Sequence, residues 1–171
     1  SLMLMLEGMR RPKGPRAPAM PMKQPGLDSL LAAHGLGVES GYALDLRANQ
    51  RVGLSGRGGM QYSRPYPLWP TVRPASNSPL VRDLNTVLLP WASPVEVTAP
   101  ANSTAVRPLL ETTRFGGRIS GTTSIRPQRN WKTAVDSLRP QTMAVAFDPA
   151  AGGGSGATGE SAASGPGRVV L

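Results

Sequence analysis

Residue types that carry chemistry are scarce in this chain. Among its 171 residues there is one histidine, His34, and no cysteine. A centre that needs two histidines, such as an HExxH zinc site or a di-histidine iron site, cannot be drawn from it. Without thiols there is no disulfide, thiolate zinc site, iron–sulfur cluster or cysteine nucleophile. Ser29, His34 and Asp28 compose a Ser/His/Asp set on paper, but the GxSxG elbow that would expose such a serine is absent. His34 falls at the end of a helical pattern, where it reads as a capping or packing residue beside the negative end of the helix. The carboxylates are few and separated, so neither a paired acid and base nor a metal cluster is visible. Gly53–Gly59 (GLSGRGG) is the one glycine cluster that could cradle a phosphate. It lacks both the GK[ST] ending and the GxGxxG order, and so reads as a flexible loop. Asn102-Ser103-Thr104 fits the glycosylation sequon, a match that chance supplies in a chain of this size. Trp69 and Trp91 lie in proline-flanked apolar segments and read as core or edge anchors rather than ligand platforms. No residue is therefore predicted as catalytic, cofactor-binding or metal-ligating, and no cofactor is expected.

The formal net charge is +9, from 19 Lys+Arg against 10 Asp+Glu. Sixteen of the basic residues are arginine, the better bidentate partner for phosphate, so nucleic acid has to be weighed. Placement argues against it. The densest group, Arg10, Arg11, Lys13 and Arg16, is broken by Pro12, Gly14 and Pro15 and has no aromatic neighbour on which bases would stack. The other arginines are dispersed singly, as on a solvated basic surface. The longest wholly apolar run, Leu2–Leu6, falls short of the ~20 residues that span a bilayer and of the ~7–15 of a signal-peptide core. Gly and Pro make up about 22% of the chain, below the ~25–30% at which low-complexity disorder becomes the default. A modest core with much loop is the expectation.

The elements that would position these residues follow from periodicity. Leu2–Glu7 reads as a buried strand, Arg10–Gly26 with its five prolines as a loop, and Leu27–His34 as the best helix, closed by Gly35. Tyr42–Arg47 is a strand and Asn49–Ser63 a loop or long hairpin. Tyr66–Val72, holding Pro67 and Pro70, reads as an extended edge segment rather than a central strand. Ser76–Leu84 should make one or two helical turns with Ser78 as N-cap and Pro79 at the first helical position. Thr86–Pro90, Ser93–Thr98, Ala105–Thr113 and Met143–Phe147 are strands, and Trp131–Leu138 a short helix. Residues 150–167 read as a Gly/Ser/Ala-rich flexible linker, and residues 168–171 as the start of a further strand of the same domain.

The ordered set of segments resembles a known family. Leu27–Arg47 (LDSLLAAHGLGVESGYALDLR) is similar to a short helix followed by a strand ending in LD, found in the auxiliary domain of uncharacterised ABC transport systems, a group that includes gliding-motility GldG-type proteins. Tyr66–Pro70 (YPLWP) is similar to that family's aromatic-proline segment. Asn77–Pro94 (NSPLVRDLNTVLLPWASP) looks like its signature ending in an aromatic, Ala, Ser and Pro, and Val106–Thr113 (VRPLLETT) like its PLL-x-(T/S)-(T/S) strand. Thr142–Phe147 and Gly167–Leu171 (GRVVL) match the strands that follow. Arg10–Gly26 and Ser120–Arg139 match nothing in it.

The alternation strand, helix, strand, small helix, strand, strand fits α/β or α+β with a mixed sheet. Of these α/β, which the resemblance also implies, is the expectation for residues 1–149, with residues 10–26 as a Pro-rich loop. That fold would be a fragment of a three-layer sheet of the flavodoxin-like or class I glutamine-amidotransferase-like kind, with long Pro/Gly-rich loops. The apolar runs at both ends read as cut strands, so the chain is expected to be the later half of such a domain. The function implied is that of a non-enzymatic, soluble domain of a transporter accessory subunit, binding substrate or partner subunits. Its partners would be the ATPase and permease subunits, with no nucleic acid. The parent protein would be membrane-anchored outside this segment and would sit on the extracytoplasmic face of the bacterial cell membrane. Two alternatives stand beside it: a basic nucleic-acid-binding protein, and a degenerate amidotransferase-like hydrolase.

Overall fold

The computed structural model describes residues 2–3, 8–10, 17–23, 25–98, 106–135, 137–148 and 169–170. In chain order the elements are β1 (Leu2–Met3), β2 (Met9–Arg10), β3 (Met20–Pro21), α1 (Pro25–Ala33), β4 (Leu36–Val38), β5 (Gly41–Asp45), β6 (Asn49–Ser55) and β7 (Gln61–Pro74). They continue with β8 (Val87–Leu88), β9 (Val95–Val97), β10 (Val106–Glu111), β11 (Gly116–Ser120), β12 (Thr142–Phe147) and β13 (Val169–Val170). A seven-stranded sheet runs in the order β1-β13-β12-β10-β7-β6, with β8 on β7, and three two-stranded sheets, β11-β5, β2-β3 and β4-β9, complete the architecture.

This arrangement overturns the expected three-layer α/β fold. Apart from β1 with β13, every strand pair is antiparallel. A doubly wound sheet needs parallel strands joined by helical crossovers, and α1 is the one α-helix among the described residues. That helix does not act as a crossover. Gly35, at φ +67°, turns the chain directly into β4, which pairs antiparallel with β9. The two other segments expected to be helical form no α-helix. Residues 78–84 stop at the one or two turns expected, in which Val81 N and Arg82 N donate to Ser78 O, Leu84 N donates to Val81 O, and Leu80 N donates to Ser78 Oγ. Within 131–138 there is one 3-10 turn, Lys132–Ala134. The linker at 150–167, the sequon at 102–104 and the basic residues Arg11, Lys13 and Arg16 lie outside the described residues.

The proline-rich strand also departs from expectation. β7 is interior to the large sheet, flanked by β6, β8 and β10 in succession. It tolerates Pro65, Pro67, Pro70 and Pro74 because it changes partner along its length, so no single ladder demands every N–H. Tyr66–Trp69 of β7 stand against Gln50 alone, between the pairs Arg51↔Pro65 and Asn49↔Pro70, and the strand is irregular there. Asn49–Ser63 resolves into the β6–β7 hairpin, with Gly58 and Gly59 at φ +76° and +78° in its turn.

The core is built around β5, whose five residues are all buried. Alternation sends Tyr42 and Leu44 into a cluster with Met9, Ala19, Tyr66, Leu68, Ile119 and Trp131. Ala43 faces the opposite side, toward Val72, Val81, Leu109, Leu110 and Met143. A third cluster packs Leu31 of α1 on Leu36, Val145 and Phe147. A strand buried on both faces explains why YAL reads as a continuous apolar run.

Candidate functional site

The segments shared with the family pattern converge on the end of β5. Asp45 is fully buried and its carboxylate accepts four hydrogen bonds. Oδ1 takes Arg47 N at 2.8 Å and Ala48 N at 2.7 Å, an Asx-type turn that starts the loop into β6. Oδ2 takes Thr113 N at 2.8 Å and Thr113 Oγ1 at 2.7 Å, from the far side of the fold. Asn49 Nδ2 closes the same turn by donating to Asp45 O at 2.9 Å. The neighbouring Thr112 is also buried: its Oγ1 accepts from Gln141 N at 2.8 Å, and its N donates to Gln141 O at 3.0 Å. Gly116 is required here, since a Cβ at that position would lie 2.0 Å from Thr112 Oγ1.

Ala92-Ser93-Pro94 makes a second convergence. Ala43 N donates to Ala92 O at 2.8 Å, and Glu39 N donates to Pro94 O at 3.0 Å. Ser93 Oγ accepts from Gly8 N at 3.0 Å, which fastens the N-terminal segment. Just before it stands Trp91, the non-glycine residue with positive φ (52°) among the described residues. A left-handed backbone costs about 1–2 kcal/mol for an L-residue. Trp91 is held in it by its N–H on Leu68 O at 2.9 Å and its indole Nε1 on the Tyr66 hydroxyl at 3.0 Å.

Tyr66, Trp69, Trp91 and Trp131 form one edge-to-face aromatic cluster, with centroid separations of 5.2 Å for Trp69–Trp91 and 5.8 Å for Tyr66–Trp69 and Tyr66–Trp131. The Tyr66 hydroxyl donates in turn to Ile125 O. Burial pushes the Tyr66 phenol up from 10.0 to about 12, against the opposing hydrogen bond from Trp91. The indole N–H groups of Trp69 and Trp131 are buried and have no hydrogen-bond partner among the described residues. Arg129 lies over the Trp131 ring at 5.5 Å.

The residues that composed a triad on paper are not brought together. Ser29 Oγ donates to Pro25 O at 2.9 Å within α1, and the His34 ring packs on Phe147 with centroids 4.7 Å apart. Asp28 is exposed in the first turn of α1. Gly53–Gly59 forms the last residues of β6 and the tip of the β6–β7 hairpin, and offers no α-helix N-terminus to a phosphate. Among the described residues no group of three His, Cys, Asp or Glu could hold a metal ion, and no helix is long and apolar enough to cross a membrane. Trp69 and Trp91 are the anchors expected of them. Sequence reasoning missed Asp45 and Thr113 as partners and Trp131 as a member of the cluster. Asp45 carried a signal, an Asp closing an apolar strand just before a polar turn, the place where an Asx turn starts.

A family model described as an ABC-type uncharacterized transport system matches residues 1–149. No curated protein and no solved structure matches the chain.

Proposed function

The chain belongs to that family, as an auxiliary domain of an ABC-type transport system, and from this we propose that it is a non-catalytic binding domain of the accessory subunit. In this reading it engages a transported substrate or the partner subunits, while ATP hydrolysis falls to a separate ATPase and passage to a permease. Supporting the reading is what the polar residues of the family pattern do. Asp45, Ser93 and Thr112, all buried, and the partly buried Thr113 turn their side chains to backbone N–H groups and to each other. Groups spent on holding the fold are a scaffold for surfaces rather than a reaction centre. The finer assignment, to a gliding-motility-like subunit on the extracytoplasmic face of the bacterial cell membrane, belongs to the same proposal.

The test is reconstitution from the full reading frame and its neighbouring genes. Co-expression with an adjacent ATPase and permease should give a complex that survives detergent extraction and affinity purification. A neighbourhood without those genes, or subunits that purify separately, would overturn the assignment.

A further inference from the structure

The distal part of the β6–β7 hairpin stands away from the core. From Gln50 to Pro65 no residue whose side chain is described is buried, on either face. Register places Leu54 opposite Tyr62 and Val52 opposite Arg64 on one face, and Gly53 opposite Ser63 on the other. Val52 touches the core at the base, and exposure rises toward the tip: Tyr62 is 44% exposed and Met60 74%, the latter next to the positive-φ pair Gly58 and Gly59. Between Asn49 and Pro65 there are three arginines, Arg51, Arg57 and Arg64, and no carboxylate. Arg51 is fixed across the arm, its Nε on Ser63 Oγ at 3.0 Å and a terminal nitrogen on Ser63 O at 2.7 Å.

We propose that the tip of this arm docks on an anionic phospholipid surface, Met60 and Tyr62 entering the interface and Arg51 and Arg64 meeting the headgroups. The chemistry is complementary on both counts. Tyr and an unbranched thioether suit the boundary between headgroups and acyl chains, and basic side chains near it are drawn by the negative surface potential. The spacing fits as well. Arg64 lies four residues along the strand from Met60, about 13 Å at ~3.3 Å per residue. With the tip sunk about 5–10 Å, a long arginine side chain at that height reaches headgroup level. Uncompensated positive charge favours a lipid surface over an apolar protein groove, which would have to desolvate it.

The absence of native cysteine makes the test direct. M60C is labelled with an environment-sensitive fluorophore, and L138C, 46% exposed elsewhere on the fold, serves as control. Vesicles of phosphatidylglycerol in phosphatidylcholine should blue-shift the M60C probe and leave L138C unchanged, and the shift should fade as salt screens the charges. Vesicle affinity should fall roughly fivefold for each arginine neutralised in R64Q and R51Q/R64Q, whereas R107Q/R126Q, of equal charge change, should lose less than twofold. Circular dichroism confirms that each variant keeps its β signal. Absence of a shift with phosphatidylglycerol vesicles would overturn the proposal, as would equal binding to pure phosphatidylcholine or an equal loss in R107Q/R126Q. An acidic protein partner for the arm would produce the first of these results. The inference stands apart from the transporter assignment, because vesicle binding and co-purification of subunits succeed or fail separately.

Discussion

Replacing Asp45 by asparagine changes almost no volume and removes one acceptor oxygen, which isolates the hydrogen-bonding role of the buried carboxylate. The native group meets four donors, two on each oxygen. An amide keeps one oxygen and presents an NH2 group on the other side. Its best orientation leaves the oxygen on Arg47 N and Ala48 N and turns the NH2 toward Thr113, whose hydroxyl rotates to accept. Thr113 N is then a partly buried donor facing a donor, at about 1–3 kcal/mol, and the two retained bonds lose their charge assistance. The sum is about 3 kcal/mol, a large share of the ~5–15 kcal/mol that holds a domain of this size. Urea unfolding followed by tryptophan fluorescence, with the slope unchanged, should report it as a lowered midpoint. D45A, which strands all four donors, should cost more than D45N. A D45N variant within about 1 kcal/mol of the parent would refute the account of Asp45 as the tie between the β5–β6 and β10–β11 turns.

Thr113→Val should cost about 1–2 kcal/mol, because it removes the hydroxyl from Asp45 and from Phe115 N, and Thr113→Ser should recover most of it in the same urea titration. Gly116→Ala places a methyl 2.0 Å from Thr112 Oγ1 and 2.9 Å from Thr113 O, so its melting temperature should fall by an amount matching about 2–3 kcal/mol of overpacking. The Tyr66 phenol, raised to about 12 in the fold, binds its proton more tightly folded than unfolded. Its contribution to stability is complete below pH 10 and declines as pH rises from 10 toward 12, by at most about 1.4 kcal/mol per pH unit. Tyr66→Phe should lack that alkaline step while being less stable at neutral pH, since Trp91 Nε1 and Ile125 O lose their partner; an identical alkaline slope in both proteins would contradict the assignment.

Much of the local structure was legible in the sequence. The helix pattern at 27–34 and Gly35 correspond to α1 and its left-handed exit, and the apolar runs at 42–47, 106–113 and 143–147 correspond to strands. Pairing direction was not legible, because strand periodicity is the same in parallel and antiparallel sheets. The flavodoxin-like expectation came from the alternation of strands with a helix and a small helix, and from the family resemblance. Ser78-Pro79 does carry an N-cap signature, and Leu84 N closes a further turn on Val81 O. But Leu80 and Leu84 stay 52% and 42% exposed, so of the three apolar residues only Val81 is buried and the turns do not grow into an α-helix. Pro67 and Pro70 argued against an interior strand by a rule that assumes one partner along the whole length. At the site, each half of the Asp45–Thr113 tie was visible as a motif. Their meeting was not, since it depends on a fold that brings together residues 68 positions apart.

That separation has a further consequence. The two ties that secure β5 and the N-terminal segment, Asp45–Thr113 and Gly8–Ser93, close loops of 68 and 85 residues. Neither gains anything until the intervening chain has been ordered, so the entropy of closure precedes its reward. A topology weighted to such distant contacts folds on the milliseconds-to-seconds scale of β-rich domains rather than in microseconds. During that interval the β7 edge, with Leu68 and Val72, stands open before its partners arrive. This makes the order of synthesis, in which Thr113 emerges long after Asp45, a determinant of how long the unfinished sheet is exposed.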